Sequence, residues 1–139
     1  MKSFLKGMSS ILIVTILLCA CEMTPRVSSW ESPRGFTKAQ VFNASIQAGG
    51  QLSMMTAASD RESGTISFVK KVGKGEMSLN VQVTDVNGIV KVQTTAHYGG
   101  GVGIAGENEE KIRDFHELLF RNLNISDPSA KNIIIEQLK

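Results

Sequence analysis

Cysteine is nearly absent from this chain. Its 139 residues include only Cys19 and Cys21, both close to the N-terminus. Two thiols this close cannot staple a distant loop, and no other cysteine exists for a zinc site or a thiol nucleophile. Histidine is equally scarce: His97 and His116 lie far apart, and nothing in the sequence pairs them. Charge of one sign is lacking too. Lys plus Arg number 15 against 13 Asp plus Glu, a formal charge of +2. That balance gives no concentrated basic face for nucleic acid. What is present is a folding composition, 42% hydrophobic and 20% charged. It suits one domain.

The longest apolar run, Ile11 to Leu18, is too short to span a bilayer, which takes about 20 residues. Lys2 and Lys6 precede it, and residues 7–20 carry no charge. This is the layout of a secretory signal peptide over residues 1–20. It ends in Leu18-Cys19-Ala20-Cys21, which resembles a bacterial lipobox. A small residue lets the peptidase approach the bond, and a free thiol accepts a diacylglyceryl group. The resemblance implies cleavage before Cys21 and lipidation of that residue. Glu22 is not the Asp that retains such proteins at the inner membrane, so the resemblance implies the periplasmic face of the outer membrane. Loss of Lys2 and Lys6 with the leader leaves 13 basic against 13 acidic side chains.

Residues 22–35 carry Pro25, Pro33 and three serines without periodicity, and read as a flexible tether. Such a tether spans about 20 Å as a coil and about 45 to 50 Å drawn out. Trp30, within it, can pack back onto the domain, sit at headgroup level or contact a partner.

Residues 36–139 are expected to form one domain. Thr37-Lys38-Ala39-Gln40 is a capping box, with Phe36 and Val41 as a hydrophobic staple. Ala39, Phe42 and Ile46 mark the expected buried face of that helix, and Gly49-Gly50 its end. Strands are expected over 51–57 and 65–71, joined by the polar turn 60–64. Met77, Leu79, Val81 and Val83 alternate with Ser78, Asn80, Gln82 and Thr84, a strand buried on one face. Asn87-Gly88 is a hairpin signal. It sets Val86 opposite Ile89, Val83 opposite Val92, Leu79 opposite Ala96 and Met77 opposite Tyr98, with His97 pointing outward. A second helix runs from Glu107 to about Leu123, with Ile112, Phe115, Leu119 and Phe120 as its stripe. Asp127-Pro128 opens a third helix, although Ile133-Ile134-Ile135 also suits a strand. The predicted order is α-β-β-β-β-α-α, a two-layer α+β domain with a four-stranded antiparallel sheet covered by helices.

With the lipobox, the tether and the segment Asp60-Arg61-Glu62-Ser63-Gly64-Thr65-Ile66, the chain resembles small Gram-negative outer-membrane lipoproteins of uncharacterised function. The resemblance covers roughly residues 36–123, rests on the pattern D-R-x-x-G-x-I, and carries over no catalytic residue. In layout it is also distantly similar to the periplasmic repeats of a lipoprotein of the outer-membrane protein assembly machine.

Candidate chemistry is thin. Gly101-Val102-Gly103-Ile104-Ala105-Gly106 matches G-x-G-x-x-G between a strand and a helix. The strand belongs to an antiparallel meander, and Glu107, Glu109 and Glu110 already satisfy the helix dipole and repel phosphate. A flexible glycine loop is the preferred reading, with Val102 and Ile104 as candidate partner contacts. His116-Glu117 begins like H-E-x-x-H, but Phe120 replaces the second histidine, so no zinc pair exists. His116 is read as a packed or edge residue. No serine has a nucleophile-elbow context. Lys70, Lys71 and Lys74 share one hairpin, either a solvated tip guarding a sheet edge or a contact for anionic lipid or lipopolysaccharide.

No catalytic residue, cofactor or metal is assigned. The expected protein is a lipid-anchored, non-catalytic binding or scaffold module with an envelope protein partner. The alternative is a carrier of a small apolar ligand in a groove between sheet and helices. A carrier needs an apolar cavity against Met77, Leu79, Val81 and Val83; a scaffold needs a packed core and an exposed apolar patch.

Overall fold

The computed structural model describes residues 25–100 and 106–137. The leader, Cys21, Val102 and Ile104 lie outside the described residues. Among the described residues, the elements are β1 (Arg26–Glu31), α1 (Lys38–Gln51), β2 (Met55–Asp60), β3 (Thr65–Val72), β4 (Gly75–Val86), β5 (Ile89–Gly99), α2 (Glu107–Asn122), a 3₁₀ turn (Pro128–Lys131) and β6 (Ile134–Gln137).

The fold is α+β, with a single antiparallel sheet in the order β2-β3-β4-β5-β1-β6. It holds six strands among the described residues, not the expected four. The hairpin around Asn87-Gly88 has the expected register, Val86 opposite Ile89 through Met77 opposite Tyr98. Asn87 and Gly88 both take positive φ, as such a turn requires.

Both extra strands come from segments expected to be something else. Residues 26–31, read as tether, form β1 and pair with β5 and β6. The third helix is a 3₁₀ turn of four residues, started by Asp127 whose side chain accepts from Ser129 N. The chain then turns extended, and Ile134 and Ile135 enter β6 with Ile135 opposite Ser28. β-branched side chains prefer this pleated surface, and the unpaired edge of β1 supplies the partner.

Helix α1 starts as expected, with both capping-box bonds of Thr37 and Gln40 present. Its buried face is Val41, Phe42, Ala44, Ser45, Ala48 and Gly49, rotated away from the exposed Ala39. It does not stop at Gly49-Gly50. A side-chain carbon on Gly49 would run into the Phe68 ring, so this glycine is a place of close approach inside the helix. The end comes at Ser53 (φ 57), where Ser53 N donates to Gly50 O and Met54 N to Gly49 O. That is a Schellman motif closed by the buried Met54. Residues 51–53 are therefore not strand, and β2 begins at Met55.

The core lies between one sheet face and both helices. Helix α1 packs on β4 and β2, and α2 packs on β5 and β1. Met77, Leu79, Val83, Val92, Ile112, Phe115 and Leu119 are all fully buried there.

Candidate functional site

The D-R-x-x-G-x-I segment proves to be a structural lock. Asp60 Oδ1 accepts from Glu62 N at 2.9 Å and shapes the turn. Arg61 donates to Asn43 Oδ1 at 3.1 Å and lies over the Phe42 ring, which ties the turn to α1. Gly64 takes φ +77, and its carbonyl accepts from Val83 N at 2.8 Å. A side-chain carbon there would collide with the Val83 carbonyl oxygen. Ile66 enters the core. Each specified residue of the pattern has a structural role, by hydrogen bonding, backbone conformation or packing.

His116 is fully buried, as a packed histidine. Its Nε2 shares a hydrogen bond with Ser28 Oγ at 2.9 Å, and its ring meets Phe115 edge-on and Phe120 at a tilt. His116 Nδ1 and Thr94 Oγ1 are buried without hydrogen-bond partners. Burial pushes the imidazole pKa down to about 4, so it is neutral at pH 7. A serine beside a neutral histidine has the components of a nucleophile and base. Both side chains are enclosed, however, and neither lines the main surface grooves of the described residues. His97 is exposed on the outer face, opposite Ser78. Among the described residues, no group of three His, Cys, Asp or Glu is placed to hold a metal.

Of the expected partner contacts, Trp30 is 2% exposed and belongs to the core. Its ring centroid is 5.1 Å from that of Phe120, and its Nε1–H donates to the Ala130 carbonyl at 2.8 Å. It thus pins the 3₁₀ turn to β1. Gly106, the last glycine of the G-x-G-x-x-G run, is left-handed and gives α2 no side-chain cap.

Among the described residues there is a groove of about 790 Å³ that residue patterns did not reveal. It opens where β1 ends, beside the start of β5 and the segment between α2 and β6. Trp30, Phe36, Ile89, Ile125 and Ile134 give it apolar walls, while Glu31 and Asp127 give it negative charge. Three local causes build it. Ser32 N donates to Val90 O at 2.8 Å and Ser32 Oγ accepts from Val90 N at 3.1 Å, extending the β1–β5 ladder past Glu31. Asn124 at φ 55 ends α2 in a second Schellman motif and folds Ile125 inward. Ile134 begins β6 with its side chain 57% exposed. The only sequence signals were Pro25 and Pro33, which bracket β1 as readily as they mark a tether.

No family model matches the sequence, and no curated protein does. Solved structures share its shape weakly. Ara h 8.0201 covers 71% of this chain and 95% of its own, at 11% identity and a TM-score of 0.47. TTHA0849 from Thermus thermophilus covers 73% and 99%, at 14% identity and a TM-score of 0.47. A conserved protein from Geobacillus kaustophilus covers 80% and 98%, at 14% identity and a TM-score of 0.37. Likenesses below 0.5 at such identities assign neither a family nor a function to this chain.

Proposed function

We propose that this chain is a lipid-anchored cell-envelope protein, held through Cys21 on the periplasmic face of the outer membrane. Its α+β domain is a non-catalytic binding module. The groove at the end of β1 takes an extended segment of an envelope protein partner, with an apolar side chain against Ile134 and a basic one near Glu31 and Asp127. The observation that carries this reading is the contrast between interior and groove. Among the described residues, Met77, Leu79, Val81 and Val83 are closed off beneath the helices, whereas Ile134 stands in an open, acidic groove on an edge strand. A second reading, a small apolar-ligand carrier, is supported by the groove volume, which falls in the range small molecules fill.

Photo-cross-linking in intact cells separates the two. A photoreactive residue at Ser129, which lines the groove, should yield a discrete protein adduct, and one at Asn80 on the outer sheet face should not. Ile134→Asp should abolish the Ser129 adduct. Recovery of the domain alone with a co-purifying apolar small molecule favours the carrier instead. The anchor has its own measurement: a Cys21→Ser chain still fractionating with membranes after leader removal counts against it.

A further inference from the structure

The sheet register fixes which end of the domain the anchor leaves from. Arg26 lies in one row with Ala96 and Leu79. From that row the β3–β4 hairpin continues five residues further, to Lys74 at its tip, with Lys71 opposite Glu76 on the way. At about 3.3 Å per residue, the tip lies about 16 Å beyond Arg26. Cys21 is also five residues from Arg26, so it reaches at most about 18 Å in the same direction. A tether of residues 22–35 would hold the domain well clear of the membrane; with β1 starting at Arg26, a fully drawn-out link clears the hairpin tip by only about 2 Å.

We propose that the β3–β4 hairpin, through Lys71 and Lys74, seats on anionic phospholipid headgroups of the membrane that holds Cys21. This rests on the anchoring reading above. Lys71 and Lys74 are exposed, while Lys70 is half-buried and donates to the Leu52 carbonyl at 3.2 Å. Arg26 adds a charge at the same end. The acids nearby are Glu76, the exposed Glu136 opposite Val27 in the row next to Arg26, and those of the first turn of α2, where Glu109 is already bound to Arg113 at 2.8 Å. Such seating turns the groove, at the opposite end of β1, away from the lipid and toward partners. It also adds an electrostatic contact to the acyl anchor.

The full chain, purified from membranes with its anchor, is reconstituted in vesicles with phosphatidylglycerol or in phosphatidylcholine alone. Amine labelling is followed residue by residue by mass spectrometry. Lys71 and Lys74 should label roughly fivefold more slowly in the anionic vesicles, the factor matching about 1 kcal/mol per lysine. Lys91 and Lys131 should label equally in both, and salt should erase the difference. Equal rates for Lys71 and Lys74 in acylated protein overturn the seating alone. An intact mass without acyl groups on Cys21 overturns the anchor, and the seating with it.

Discussion

His116 is the residue whose environment departs furthest from its free chemistry. It sits in the core as a neutral ring, with Ser28 as its hydrogen-bond partner and aromatic rings around it. Burial lowers its pKa from 6.5 to about 4. Between those values the unfolded chain binds a proton that the folded chain refuses. Stability is therefore full above about pH 6.5 and falls as the pH drops toward 4, by at most about 3 kcal/mol. Urea unfolding at pH 7 and pH 4.5 should show this loss. A Ser28→Ala/His116→Phe chain removes the titrating group and its partner together, leaving no orphaned hydroxyl. Its stability should depend less on pH across the same interval; an unchanged dependence would assign the acid sensitivity to other groups.

The elements divide by how local their causes are. The β4–β5 hairpin was readable to the residue, because alternation and Asn87-Gly88 both act over short range and agree. The start of α1 was readable for the same reason. Its end was not, because what Gly49 does is decided by Phe68, nineteen residues away on another element. At an ordinary helix interior, Gly→Ala stabilises by about 1 kcal/mol. Here the sign should reverse: Gly49→Ala drives a methyl into the Phe68 ring and should cost about 1–3 kcal/mol. A chain with Gly49→Ala that unfolds at higher denaturant than the parent would refute the close-approach account. Gly50 is the internal control, since nothing lies within 4 Å of a side-chain carbon placed there. The β1 strand escaped sequence reading because its inward residues are Arg26, Ser28 and Trp30, a pattern with little apolar alternation. Only its neighbours β5 and β6 make it a strand.

At the scale of the whole molecule, the first and last described strands meet. β1 lies between β5 and β6, so the earliest described strand is completed by the last. The site inherits this dependence: groove walls come from residues 29–36, Ile89 and residues 124–134, far apart in sequence. That separation is why no motif announced it. The link between the two segments is Trp30, which packs on Phe120 and donates to the Ala130 carbonyl. Trp30→Phe keeps an aromatic ring in the core and removes the indole donor. The Ala130 carbonyl then loses its partner, and the loss of volume adds a packing cost. Stability should fall by about 1–3 kcal/mol, readable as a lower urea midpoint with an unchanged slope. Loosening of the 3₁₀ turn should also raise amide exchange in residues 128–137 more than in β3 and β4. If groove cross-linking at Ser129 then weakens while the protein remains folded, the groove depends on this clasp. If exchange rises uniformly across the sheet, the clasp holds the whole fold and has no separate role in shaping the groove.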